Sequence, residues 1–193
     1  MPEDPRSVSA LRATAHPVRL RILSLLTASA LSAAEIAREL DLTHANASYH
    51  LRVLVDAGAV VEAGEEKIRG GVAKRYRHPW DDYRASHATP ASPEDGEVYV
   101  RAMAEELVRR FAGRARRTPT MTTDAELWVS PEVWQEVRSM VEQASVLLHS
   151  QAQPPRTEGT VQVGLTVAAF ELSADPSPIQ PDSRRVATKV TGR

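Results

Sequence analysis

The stretch at residues 40–60, "LDLTHANASYHLRVLVDAGAV", decides how the N-terminal part of this chain folds. Thr43 is a preferred residue for a helix N-cap, and Gly58 is a preferred residue just beyond a helix C-terminus, so the stretch predicts one helix between them. Its apolar residues recur at helical spacing and are expected to be buried: Ala47, Leu51, Leu54 and Ala57. The opposite face is polar, which a helix that serves only a core does not require.

The elements around this helix have equally clear signals. Pro17 suits the first turn of a helix over "HPVRLRILSLLTAS", and Ser32 with Glu35 forms a capping-box pattern at the start of "SAAEIAREL". After Gly58, "AVVEAGEEKIRGGVAKRYRH" predicts two short strands joined by a glycine-rich turn. This order of elements predicts a helix-turn-helix followed by a hairpin wing.

The helix between Thr43 and Gly58 is the predicted recognition helix, the one that enters the DNA groove. The residues on its polar face can bond DNA. Asn can bond an adenine edge through two hydrogen bonds, and Ser, His and Tyr can reach base edges or phosphates. His50 lies at the edge of the apolar face and is expected to pack in the core. Lys67 to His78 contains five basic residues and no acid, so we expect the hairpin to contact phosphates, although it could also be only a solvated edge. The predicted DNA-binding residues are Thr43, His44, Ala45, Asn46, Ser48, Tyr49, Arg52, Lys67, Arg69, Lys74 and Arg75.

Residues 9–78, with "HPVRLRIL", "AEIARELDL" and "THANASYHLRVLVDAG" in this order, resemble the winged helix-turn-helix of the arsenic-repressor (ArsR) type of bacterial regulators. The resemblance implies a homodimer that binds an inverted repeat and releases DNA when an inducer binds. The chain departs from the metal-sensing members because it has no Cys, and its six His residues show no spacing typical of metal ligands. We therefore expect no metal site and no cofactor.

The C-terminal half is less specific. Ser-Pro pairs start two predicted helices at Ser92 and Ser130, and residues 120–129 and 160–172 are predicted strands. The apolar stripe of the first helix packs either on the chain's own winged helix or on a second copy, and a second copy is favoured because inverted DNA sites need two-fold proteins. The predicted dimerisation residues are Tyr99, Val100, Met103, Leu107, Val108 and Phe111. Trp128, Trp134 and Phe170 either fill a core or line an effector pocket.

Together these patterns predict an α+β fold that is mainly helical. The predicted divisions are a winged helix-turn-helix domain at 1–80, a connector at 81–92, a small αβ dimerisation or effector region at 93–172 and a disordered tail at 173–193. Without a signal sequence, a membrane span or any Cys, the chain is expected to be cytoplasmic. Its net charge of −1 shows no overall basic excess, so the local runs of cations carry the charge argument.

The predicted function is a dimeric, DNA-binding transcriptional regulator, more specifically a repressor that is not an enzyme and does not sense metals. Its expected partners are double-stranded DNA, a second copy of itself and, in one interpretation, a small-molecule effector. Two alternatives remain open: a small-molecule-binding protein in which the C-terminal region is the main actor, and a winged-helix interaction module that does not bind DNA.

Overall fold

The computed structural model describes residues 11–68, 71–80, 82 and 92–173 of the 193. Its helices are α1 (Pro17–Ala28), α2 (Ala33–Leu40), α3 (His44–Asp56), α4 (Pro93–Ala112) and α5 (Pro131–Ser150). Its strands are β1 (Leu31–Ser32), β2 (Val61–Ile68) and β3 (Gly71–Arg77). Residues 11–14 are also helical. The predictions for the first ten residues, Arg69, most of the connector and the tail from 174 onwards lie outside the described residues.

The helix boundaries in the N-terminal part follow the capping signals in the sequence. Pro17 opens α1, and the Ser32–Glu35 capping box is present, with the Ser32 N–H donating to Glu35 Oε2 at 2.7 Å. Thr43 Oγ1 accepts the Asn46 N–H at 3.2 Å at the start of α3. Between α2 and α3, Asp41 adopts a left-handed conformation with φ 55°, which turns the chain sharply enough for the two helices to pack.

The core lies where α1, α2 and α3 meet. Ile22, Leu26, Ile36 and Leu54 are at most 1% exposed, and the predicted inward face of α3 is buried at Ala47, Leu51 and Leu54. Ala57 is half-buried. Because this core fixes α3 on one side only, its polar face is left free.

A three-stranded antiparallel sheet with the order β1-β3-β2 forms the wing. The predicted hairpin is confirmed, and β1 is an addition that pairs Leu31 with Tyr76. The base of the wing is fixed to the core by His78, whose N–H donates to the Leu26 carbonyl at 3.0 Å and whose Nδ1 bonds the Ala59 carbonyl at 2.6 Å. The N-terminal part is therefore a winged helix-turn-helix.

The C-terminal region differs from the prediction. Both Ser-Pro pairs start helices, α4 and α5, as expected. The strands predicted at 120–129 and 160–172 are absent, however, because both segments are described and neither has secondary structure. A strand needs a neighbour to pair its backbone groups, and within the described chain neither segment has one. The region between 92 and 173 is thus two helices and extended chain, and not a small αβ unit.

Candidate nucleic-acid interface

The free face of α3 presents the predicted reading residues to solvent. Tyr49 is 54% exposed, and Ser48 is half-buried at the edge of the face. The hydroxyl of Thr43 is engaged as the N-cap, so its first role is to start the helix. The other predicted residues of this helix are all exposed: His44, Ala45, Asn46 and Arg52. Most of the predicted reading residues are thus exposed on one face of α3.

His50 lies on the inner side of α3, as the sequence predicted. It is 5% exposed, and its ring centroid is 4.9 Å from that of His16, the N-cap of α1. Burial lowers the pKa of both rings, and the positive charge of the nearby Arg19 lowers them further. The lowered pKa of each ring favours its neutral form, and the two rings pack against each other between α1 and α3.

Two of the four described cations on the wing, Lys74 and Arg75, are paired within the fold, which the sequence analysis did not anticipate. Lys74 Nζ lies 2.8 Å from Glu62 Oε1, and both side chains are about half exposed. The register of the hairpin also places Glu65 opposite Lys74. The one-signed run from Lys67 to His78 is thus balanced by acids from β2 across the sheet.

Arg75 has a structural role instead of a free guanidinium on the wing. Its Nη1 lies 3.3 Å from Glu35 Oε2 at the N-terminus of α2, and it also bonds Glu66 on β2. Its Nη2 donates to the Ala30 carbonyl. Its side chain is only 26% exposed. Arg75 therefore links the wing to α2 by hydrogen bonds and ion pairs. A DNA phosphate could bind Arg75 only in competition with these partners.

Some exposed cations remain available near α3. Lys67 on the wing and Arg52 on α3 are exposed and make no ion pair with any other described residue. Arg38, on the exposed side of α2, has the same properties and was not among the predicted residues. Its position could have been predicted, because it lies opposite the buried Ile36 and Leu40 of a helix whose apolar face was clear.

Helix α4 divides the predicted dimerisation stripe into two parts. Its inner side, which packs on α1, carries the buried Asp95, Ala102 and Glu106. Tyr99 and Met103 are half-buried beside these residues. The remaining four residues of the stripe are 43–71% exposed: Val100, Leu107, Val108 and Phe111. An outward apolar strip is therefore left uncovered by the chain's own winged helix.

The three aromatic residues predicted as core or pocket do not form an enclosed site. Trp128 is 99% exposed, Phe170 is 65% exposed and Trp134 is half-buried. A cavity of about 250 Å³ lies elsewhere, between the wing base and the C-terminus of α5. Trp80 and His149 line it and stack with their ring centroids 4.1 Å apart. This stack connects the winged domain to α5.

Two further features bear on function: clusters of metal ligands and membrane-spanning helices. Between residues 11 and 173, leaving out the undescribed positions, no three His, Asp or Glu side chains are placed to hold a metal ion. No helix in the same part of the chain has both the length and the apolar character of a membrane span. Metal independence stays a prediction for experiment.

Comparison with known protein families matches residues 14–63 to a helix-turn-helix domain. The matched range contains α1, β1, α2 and α3 and ends as β2 begins. It includes the polar face of α3 and leaves the wing's second strand, α4 and α5 outside. A comparison with curated proteins gives no match to this chain. The chain therefore contains a helix-turn-helix domain, which supports a DNA-binding regulator.

Proposed function

We propose that this chain is a sequence-specific transcriptional repressor of the ArsR-like type, which binds an inverted repeat in double-stranded DNA as a homodimer. The single observation that carries the proposal is the polar, exposed face of α3 within a helix-turn-helix. A face of this kind suits the DNA major groove, which is wide enough to admit an α-helix.

In this proposal α3 supplies specificity and the surrounding cations supply affinity. The exposed amide of Asn46 can bond an adenine edge through two hydrogen bonds, and Tyr49 can contact a thymine methyl or a phosphate. Lys74 and Arg75 are engaged in ion pairs within the fold. Lys67 and Arg52 make no such pair with any other described residue and are the phosphate ligands in this proposal. The cations contribute affinity that does not depend on sequence.

The dimer follows from the two-fold symmetry of an inverted repeat. The four exposed apolar residues of α4 are a suitable contact, because the inner side of that helix is already used against α1. A two-fold axis would bring the same strip of two chains together. Dimerisation sets the separation of the two α3 helices, and this separation selects the spacing of the half-sites.

Repression in the cytoplasm needs no enzymatic step and no metal, because a dimer on a promoter excludes polymerase by occupying the site.

A second candidate is a regulator that responds to a small molecule. It is favoured by the cavity that Trp80 and His149 line, since a ligand there would contact both the wing base and α5. An interaction module without DNA binding is disfavoured, because such a module would not require the polar face around Asn46.

Footprinting and gel-shift assays on genomic fragments, including the region upstream of the chain's own gene, test the proposal. The expected result is a protected site with two symmetric halves, bound by the dimer at physiological salt. Equal binding to all fragments, with no protected site, would contradict sequence-specific regulation. Loss of binding on addition of a small molecule would favour the second candidate.

A further inference from the structure

Residues 160–172, here called the arm, have no secondary structure and contact α4 at Arg110. One side of the arm faces α4, where Arg110 Nη1 donates to Thr166 Oγ1 at 3.4 Å. A Cβ at Gly164 would lie 3.7 Å from Arg110 Cδ, so this position faces the same side chain. The even-numbered positions 164 and 166 are therefore directed to the chain's own helix.

The odd-numbered side of the arm carries an apolar row that the chain leaves uncovered. Val161 is 82% exposed, Val163 62%, Leu165 43% and Val167 41%. The sequence from 161 to 167 alternates with the period of a strand, and its odd-numbered positions are all apolar. Four consecutive outward positions of this kind are unusual on a surface that meets only water.

The backbone of residues 161–172 forms no hydrogen bonds with the backbone of any other described segment. Among the described residues, the last main-chain hydrogen bond before the arm's outward row joins Thr160 N to the Thr157 carbonyl at 3.2 Å, and none is made by residues 161–172. An extended segment with strand alternation and unpaired N–H and C=O groups is an open strand edge. Such an edge can accept another strand by backbone bonding alone.

We infer that the arm pairs antiparallel with the arm of a second copy of this chain. A two-fold axis brings identical segments together in opposite directions, which is the antiparallel arrangement. Because both arms have the same period of two, this pairing places both apolar rows on one face of a two-stranded ribbon. The interaction surface is thus a sheet shared between two subunits.

A second copy is the partner that the surroundings of the arm favour. Helix α5 has no buried residue, and its apolar Val133, Met140 and Leu147 are 46–64% exposed. A two-stranded ribbon is marginal alone and needs an apolar surface to cover it, which this face of α5 can provide. Eleven large apolar side chains of the arm and α5 are 38–82% exposed, and a patch of this kind is typical of a surface that a partner covers. Residues 174–181, directly after the described chain, contain Pro176, Pro178 and Pro181, which makes this stretch a poor ladder partner.

The inference goes beyond the proposed function, because it requires no DNA binding and places subunit contacts outside α4. The arm touches α4 at Arg110, which is next in sequence to Phe111 of the outward strip. A dimer that used α4 alone would leave the arm's row in water. The two contacts can therefore be tested by separate substitutions.

The first experiment compares Val163→Asp with Gln162→Asp by sedimentation equilibrium of the full chain. Both substitutions add one charge to adjacent exposed positions, but only position 163 belongs to the outward row. Val163→Asp is expected to raise the dimer Kd by about a hundredfold or more, while Gln162→Asp changes it by less than about fivefold. An unchanged Kd for Val163→Asp, an equal effect of both substitutions or a monomeric wild type would overturn the inference.

The second experiment uses the absence of Cys from the chain, since any disulfide then joins introduced residues of two copies. Single Cys residues are placed at each position from 161 to 167 and oxidised in the dimer. A disulfide needs Cα atoms within about 7 Å. Each step away from the two-fold axis separates equivalent residues by about another 7 Å, which is twice the strand rise. Cross-linking should therefore peak over one or two positions.

A broad profile, or no cross-link at any position of a chain that sediments as a dimer, would overturn the arm–arm pairing. DNA binding provides a separate readout. If the wild type binds no specific DNA but the cross-linking peak is found, the proposed function fails and the shared sheet stands. If specific binding is found without the peak, the opposite conclusion follows.

Discussion

Arg75→Ala is the substitution that most sharply separates a structural role on the wing from a DNA-contacting one. The wild-type guanidinium bonds Glu35, Glu66 and the Ala30 carbonyl. Removing it leaves the Ala30 carbonyl without this donor and separates β3 from the N-terminus of α2. The effect should appear in the stability of the free protein, before any DNA is added.

The magnitude follows from the exposure of each partner. Hydrogen bonds to a charged group contribute about 1.5–3 kcal/mol when they are partly buried, which applies to the Glu35 and Ala30 side of Arg75. The Glu66 side chain is 54% exposed, so that pair adds at most about 1 kcal/mol. We expect Arg75→Ala to lower the free energy of unfolding by about 2–3 kcal/mol.

Urea unfolding at neutral pH, combined with DNA binding at several salt concentrations, measures both roles. Lys74→Ala is the matched control, because its pair with Glu62 is exposed and should contribute less than about 1 kcal/mol. For Arg75→Ala the stability should fall while the salt slope of DNA binding stays near the wild-type value. If the free energy of unfolding stayed within about 0.5 kcal/mol of wild type and the slope fell by about one unit, the structural assignment of Arg75 would be wrong.

Three further predictions concern assembly, metals and pH. Leu107→Asp should dissociate the dimer, because it places an unpaired charge on the outward strip of α4, and an unchanged sedimentation profile would argue against that contact. DNA binding should be unaffected by chelator or by added zinc, nickel or cadmium, and a tight stoichiometric metal that alters affinity would refute this. Burial lowers the pKa of His16, His50 and His78, so their contribution to stability is complete above the ordinary histidine pKa of about 6.5 and is lost as pH falls below it. In urea titrations between pH 7.5 and 5, His50→Gln should lose less stability than wild type, whereas an equal loss would show that His50 does not contribute.

The helix-turn-helix could be predicted from the sequence because its signals are local. Ser32, Thr43 and Gly58 each determine a boundary through bonds or backbone conformation within a few residues. Strand β1 was missed because two residues before a helix carry no periodicity, and they become a strand only when β3 lies beside them. Local sequence patterns are thus sufficient to predict helices whose ends have capping residues and whose apolar face is clear.

The charge of the wing and the C-terminal strands could not be predicted in the same way. A run of cations in the sequence shows no pairing. Only the structure of the hairpin reveals that Lys74 lies opposite Glu65 and forms an ion pair with Glu62. Likewise, the alternation in 160–172 was recognised, but no described segment of the same chain pairs with it. Long-range partners decide both features, and in the second case we place the partner in another subunit.

The role of α3 as the reader of DNA sequence is tested most directly through Asn46. Its side chain is exposed, and its backbone N–H is satisfied by the Thr43 cap, so Asn46→Ala should leave the fold intact. A bidentate contact to a base contributes about 1–3 kcal/mol of discrimination. Lys67→Ala is the comparison, because a lost phosphate contact weakens binding to all sequences and lowers the salt slope by about one unit.

Binding isotherms of Asn46→Ala on the footprinted operator and on a scrambled duplex of equal length are therefore the decisive measurement. The expected result is a loss of about fivefold to 150-fold on the operator, with less than about a twofold change on scrambled DNA and a nearly unchanged salt slope. Equal losses of affinity on the two duplexes would contradict the assignment of α3 as the helix that reads the sequence.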